Sequence, residues 1–246
     1  MKTNTLFRLA GLLMLATPCL WSQGGPAAAA APSPAAPGPA FQAVTDVPGL
    51  PRVLLLGDSI SVGYTPVVRE RLAGRANVHR APENCMYTAY GLAHLDQWLG
   101  GEHWDVIHFN WGLHDLKYLD ATGKYVTPDK GRQVAPPAQY EQNLRELVAR
   151  LKKTGAKLVF ATTTPVPTGA EGRVHGDERP FNEIAVRVMR ENGVAIDDLW
   201  SCATEAAGGI QQPHNVHFTP EGYRVLAGAV TRSIVPLLPP RRGTAP

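Results

Sequence analysis

Ser59 and His217 are the residues of this chain whose surroundings best suit nucleophilic chemistry. Ser59 ends "LLLGDS", an apolar run broken by Gly57, so its hydroxyl is expected where a buried strand turns into a helix. It would stand there at a sheet edge, beside the unpaired amides of a helix N-terminus. A serine nucleophile needs an exposed hydroxyl, a base within reach and donors for the oxyanion that develops. "GDS" alone fits a helix cap equally well, and Ser61 competes two residues further on. The candidate base lies in "QQPHNVHFTPEGY", residues 211–223, where His214 and His217 precede a helix start. The pair also has a spacing that metal ligands use, with His114 or His175 as further ligands. No Cys pair, Glu-bearing His motif or Asp cluster accompanies them, so neither a metal nor an organic cofactor is expected.

The elements that must position these residues alternate between short apolar runs and amphipathic stretches. Buried strands are expected within "RVLLLGDS" (52–59), "ANVHRA" (76–81), "WDVIHFNWG" (104–112), "AKLVFATTTP" (156–165) and "VAIDDLW" (194–200). Helices are expected over 65–74, 88–100, 138–155, 179–193 and 219–238. The third places Leu144, Leu147, Val148 and Leu151 on one face. This alternation predicts a three-layer α/β/α sandwich around a flavodoxin-like, doubly wound, five-stranded parallel sheet. Such sheets bind ligands beyond the carboxyl ends of their strands. "GDSIS", "ENCMYT", "NWGLHD" and "TTTPVPTG" each follow a strand, as that rule requires. The long stretch 162–180 suits a loop that shapes access to the same edge. Tyr87, Tyr90, Trp111 and Phe218 are candidates for a stacking surface or acyl pocket, or for ordinary packing.

Taken in order, these blocks resemble the SGNH (GDSL-type) hydrolase family of esterases and lipases over about residues 52–236. "GDSIS" matches the nucleophile block with Ser59, and "HNVHFTPEGY" matches the last block with His217 as base. "GLHD", Gly112 to Asp115, stands where the family usually has Gly-x-Asn-Asp. The resemblance implies the SGNH hydrolase fold and an oxyanion hole built from the Ser59 amide, an amide near Met86 and the His114 ring. Three departures follow. His114 replaces an asparagine, although an imidazole can still donate a hydrogen bond. "NCMYTAYGL" has Met86 where a glycine usually supplies an amide. Three residues before His217 the family has Asp, and here His214 stands instead. A triad Asp orients the imidazole and stabilises imidazolium, which a cationic neighbour opposes. Asn215 and His214 are therefore the candidate orienting groups, with Asp197 and Asp198 as distant candidates for a displaced acid.

The resemblance implies a serine hydrolase that cleaves carboxylic esters through an acyl-enzyme, using a Ser–His dyad or an atypical triad, and the N-terminal sequence implies that it is exported. Short acyl groups are expected, such as acetyl on a carbohydrate or small ester. The alternatives are a non-catalytic carbohydrate- or ester-binding relative and an O-acyltransferase on the same fold. Lys2 and Arg8 before the apolar run Leu9–Trp21 read as a signal peptide over 1–22, too short to span a bilayer. Residues 23–45 read as an Ala/Pro-rich disordered linker, 46–240 as the hydrolase-like domain and 241–246 as a flexible tail. A secreted or periplasmic location follows, without stable membrane insertion once the leader is removed. Beyond Lys2 and Arg8, 22 basic residues face 21 acidic ones with no aromatic-interleaved basic run, so nucleic-acid binding is not expected. In an oxidising compartment, Cys85 and Cys202 are candidates for a disulfide.

Overall fold

Leu54, Leu55 and Leu56 have no polar neighbour in sequence until Gly57, and all three are fully buried. A parallel strand covered on both faces reads in this way, as an apolar run without alternation. The computed structural model describes residues 38–240 apart from Gly208. The expected leader at 1–22, most of the linker and the tail at 241–246 lie outside the described residues.

In chain order the elements are β1 (Arg52–Leu56), α1 (Ser59–Arg71), β2 (Asn77–Arg80), α2 (Thr88–Leu99) and β3 (Val106–Phe109). A small antiparallel pair follows, β4 (Tyr118–Leu119) and β5 (Arg132–Gln133). The rest is α3 (Pro137–Lys152), β6 (Lys157–Ala161), α4 (Glu178–Glu191), β7 (Ala195–Asp197), α5 (Leu199–Glu205) and α6 (Pro220–Ile234). The main sheet has five parallel strands in the order β2-β1-β3-β6-β7. This is the flavodoxin-like order, with its switch point between β1 and β3. Helices α1, α5 and α6 pack together on one face, and α2, α3 and α4 on the other. On α3, Leu144, Leu147, Val148 and Leu151 are fully buried, the face their helical spacing predicts. The α/β/α sandwich and its strand order are thus as expected.

Four details differ. Helix α1 begins at Ser59 rather than near residue 65, because the Asp58 carboxylate caps it by accepting from the Ile60 amide at 2.9 Å. Pro66 consequently lies inside the helix instead of opening it. Packing also starts before residue 46. Ala40 is buried in a 3₁₀ turn at Pro39–Phe41, the Pro39 carbonyl accepts from Arg69, and the Arg80 guanidinium lies 5.0 Å from the Phe41 ring centroid. The β4–β5 pair and α5 were not expected, having too few residues to show a period. Finally, Cys85 and Cys202 are free thiols. Cys85 follows β2 and Cys202 sits on α5 after β7, so they belong to opposite edges of the sheet and cannot bridge.

Candidate active site

The carboxyl end of β1 delivers Gly57, Asp58 and Ser59 to the switch point. A Cβ on Gly57 would lie 2.8 Å from Ser61 Cβ, so this turn closes only with glycine. Arg80, at the end of β2, braces it from below. Its guanidinium donates to the Gly57 carbonyl (3.2 Å), Ser61 Oγ (3.3 Å) and the Ala81 and Glu83 carbonyls (3.1 and 3.3 Å). Ser61 is buried under that contact and is not available for attack. Ser59, half-buried at the first position of α1, is.

The loop before α6 brings the base. Its ends are held by the Gln211–Phe218 bridge, and Thr219 caps α6 by accepting from the Gly222 amide at 3.1 Å. His217 Nε2 lies 2.9 Å from Ser59 Oγ. Its Nδ1 lies 2.8 Å from Asn215 Oδ1, which also accepts the His217 backbone N–H at 3.0 Å. A backbone N–H can only donate, so the Asn215 atom facing it is the amide oxygen. That oxygen requires the ring proton on Nδ1. The Nε2 lone pair is then directed at the serine hydroxyl, as a general base requires.

The other candidates for orienting His217 go elsewhere. His214 adopts a left-handed backbone (φ 54°), and its Nδ1 donates to the Thr168 carbonyl at 2.8 Å, fixing the 162–177 loop to the histidine loop. Its ring therefore buttresses the loop and does not orient the base. Asp197 sits 3.0 Å from His108 Nε2 inside the core, and Asp198 caps α5 through the Ser201 amide at 3.1 Å. Among the described residues, no three of His, Cys, Asp or Glu are grouped so as to hold a metal ion. His175 Nδ1 bonds the Val166 carbonyl at 2.6 Å.

On the oxyanion side, β3 ends in the turn carrying Leu113, His114 and Asp115. Gly112 opens it at φ 150°, and a Cβ there would lie 2.2 Å from Thr163 Oγ1. Asp115 ties the turn to the N-terminus of α2, its Oδ1 accepting from the Thr88 amide (2.9 Å) and hydroxyl (2.5 Å). Burial outweighs those bonds and pushes its carboxyl up to about 7. His114 Nδ1 lies 3.3 Å from Lys117 Nζ. Burial, aided by the charges of Lys117, Arg173 and His217, holds its imidazole down at about 3, so the ring is neutral at ordinary pH. The Met86 amide fits its expected role poorly. Met86 has φ 48°, a glycine-like conformation, but its N–H already donates to Asn84 Oδ1 at 2.9 Å. The Asn84 side chain makes a local turn that captures the amide before any ligand can.

Residues 55–225, well over half of the chain, match the family described as GDSL-like Lipase/Acylhydrolase. The chain belongs to this family. No curated protein sequence matches it. Among solved structures, it resembles the lipase/acylhydrolase from Enterococcus faecalis, with TM-score 0.64 and 20% identity over 79% of this chain and 100% of that one. The acetyl xylan esterase AlAXEase superposes with TM-score 0.61 at 15% identity, covering 74% of this chain and 99% of that one. A variant of the acetyl xylan esterase Axe2 from Geobacillus stearothermophilus gives TM-score 0.60 at 16% identity, covering 76% and 96%. At such identities the likeness is one of fold.

Several further residues of this site carry little or no signal in the sequence. Arg80 ends β2, whose sequence Asn-Val-His-Arg is already mostly polar, so its burial offered no contrast to read. Lys117 follows His114 at a turn's spacing in "GLHDLK". Arg173 had no local signal. It comes from the long loop, donates to the Leu113 carbonyl at 2.9 Å and lies 6.0 Å from the Tyr125 ring centroid. The loop thus reaches the oxyanion turn through Arg173 and the histidine loop through Thr168. Of the four aromatics singled out, Trp111 and Phe218 are buried in the core, while Tyr87 and Tyr90 are half-buried.

Proposed function

We propose that this member of the GDSL family is a carboxylic-ester hydrolase with Ser59 as nucleophile, His217 as base and Asn215 in place of the triad acid. The observation that carries the reading is the continuous chain Ser59 Oγ–His217 Nε2–Asn215 Oδ1, at 2.9 and 2.8 Å, with the ring proton assigned to Nδ1. In the forward step, Ser59 Oγ attacks the ester carbonyl carbon while its proton passes to His217 Nε2. The resulting oxyanion is held by the Ser59 amide, in the first turn of α1 where no helical carbonyl claims it, and by a ring N–H of His114. Collapse breaks the bond to the alkoxy oxygen, which takes the proton from His217 and leaves as the alcohol. Water, deprotonated by the same nitrogen, then releases the acid.

Short acyl groups on a carbohydrate or small ester are the substrate class in this reading. The acetyl xylan esterases among the similar structures support it. Export belongs to the same proposal and rests on the sequence of residues 1–22; the N-terminal sequence of the mature protein recovered from outside the cytoplasm tests it. The hydrolase reading is tested with p-nitrophenyl acetate and acetylated xylo-oligosaccharides on wild type and Ser59→Ala. Loss of turnover in the variant is expected, and equal rates would remove Ser59 as nucleophile. Sugar binding without turnover in the wild type would identify a binding protein, and acyl transfer to added sugar in preference to water would identify a transferase.

A further inference from the structure

An asparagine at the oxyanion position offers amide N–H donors whatever its surroundings. A neutral imidazole has a single N–H, which can sit on either nitrogen. His114 can therefore replace the amide only if something decides which nitrogen is protonated. The group in place to do so is Lys117. The residue is 6% exposed, and Nζ lies 3.3 Å from His114 Nδ1 and 5.2 Å from the Tyr125 ring centroid. The backbone around it is fixed on both sides: the Lys117 carbonyl accepts from Val134, the Asp115 carbonyl from Ala135, and the Tyr118 amide donates to Gly172.

An ammonium has three donors and no acceptor. Facing Lys117, His114 Nδ1 must present its lone pair, and the single ring proton then belongs on Nε2. The cation also polarises the ring, so the Nε2–H becomes a stronger donor as negative charge develops beyond it. We propose that Lys117 is a positioning residue that fixes His114 as the Nε2–H tautomer and thereby makes an imidazole serve as an oxyanion donor in place of an amide. This rests on the hydrolase reading above, in which His114 faces the oxyanion. Lys117 itself touches no reacting atom.

The test has a spectroscopic arm and a kinetic arm. Long-range ¹⁵N–¹H correlation on histidine-labelled full-length protein reports which ring nitrogen carries the proton, with the His114 signals assigned by their loss in H114N. Wild type is expected to show Nε2–H at His114, and Lys117→Met a shift toward the other tautomer or a mixture. Nδ1–H in wild type, or an unchanged tautomer in Lys117→Met, overturns the proposal. The wild-type spectrum decides the tautomer even if the variant does not fold.

In the kinetic arm, Lys117→Met is made in the native and H114N backgrounds and assayed with p-nitrophenyl acetate. A loss of about 10-fold in kcat with KM within about 3-fold is expected in the native background, a modest share of what an oxyanion donor contributes. In H114N the loss should be at least about 5-fold smaller. Any through-space effect of the charge is common to both backgrounds, so the difference isolates what passes through the ring. Equal losses in the two backgrounds overturn the proposal. Unchanged kcat in His114→Ala would remove His114 from the oxyanion hole and overturn the proposal, whereas failure of the hydrolase reading itself shows separately as equal rates in wild type and Ser59→Ala.

Discussion

Asn215→Asp places a carboxylate in the family's usual role but one residue along the chain from its usual position. Asn215 Oδ1 accepts two hydrogen bonds, from His217 Nδ1 at 2.8 Å and from the His217 amide at 3.0 Å, and a carboxylate oxygen can take both without moving. Among the described residues the Asn215 amide nitrogen makes no hydrogen bond, so the substitution removes no donor contact. What changes is the bond to His217 in the transition state, where the ring becomes imidazolium. A neutral hydrogen bond contributes roughly 1 kcal/mol and one between charged groups about 1.5–3 kcal/mol, a gain of about 1–2 kcal/mol. Coulomb's law gives a compatible figure: unit charges about 4 Å apart attract by about 4 kcal/mol at an effective dielectric of ~20, and half-exposure roughly halves that. At 1.36 kcal/mol per decade, kcat should rise roughly 5- to 30-fold.

Steady-state hydrolysis of p-nitrophenyl acetate at pH 8 measures the gain. A folded variant whose kcat equals or falls below wild type would refute the assignment of Asn215. The familiar damage of an amide at a triad position comes from imposing the wrong tautomer. Here two N–H donors fix the amide oxygen toward the ring, so no such penalty burdens the wild type.

Arg80→Leu strips donors from the Gly57, Ala81 and Glu83 carbonyls beneath the nucleophile turn, and should cost about 3 kcal/mol, or roughly 6–12 °C in Tm for a domain of this size, by calorimetry. Asp115 is held up to about 7 by burial, so between about pH 4 and 7 the native chain keeps a proton that the unfolded chain releases. Stability should consequently fall as pH rises through that window, by up to about 1.4 kcal/mol per unit, and Asp115→Asn should flatten the slope in denaturant titrations. Protein lacking residues 1–22, denatured without reductant, should titrate two free thiols with Ellman's reagent, and none would establish a disulfide.

The fold was legible because β1, β3 and β6 are largely apolar runs ended by glycine or polar residues, and β1 and α3 fall within two or three residues of expectation. The start of α1 was misjudged because Pro66 resembles a first-turn proline, whereas the Asp58 cap acts eight residues earlier through a side chain that is also part of "GDS". In the candidate site, the proximity of Ser59, His217 and Asn215 was readable because they lie in two short motifs that such a fold brings to the same sheet edge. The occupancy of the Met86 amide was not, since it depends on which rotamer Asn84 adopts. Arg173 illustrates the limit: it lies 60 residues from the carbonyl it binds, and nothing in its local sequence marks it.

The two departures at the catalytic blocks make better sense together than singly. The transition state of acyl transfer separates charge, with imidazolium at the base and an oxyanion at the substrate. A triad Asp stabilises the positive end. This chain has an uncharged amide there, and Asp58, the cap of the helix that carries the nucleophile, is buried with Oδ1 on the Ile60 amide and Oδ2 unpaired among the described residues. Burial raises its pKa against the pull of the Ile60 amide and of Arg173, His217 and Arg80. On the negative end, the family's amide has become an imidazole in contact with Lys117, with the charge of Arg173 also felt there. A cation at that end would be a liability beside a protonated donor. Beside a ring held neutral by burial, it strengthens the pull on the oxyanion. In the proposed mechanism, stabilisation is thus moved from the base toward the oxyanion, and a reading that counts the missing Asp as a simple loss omits the half of the site where charge has been added.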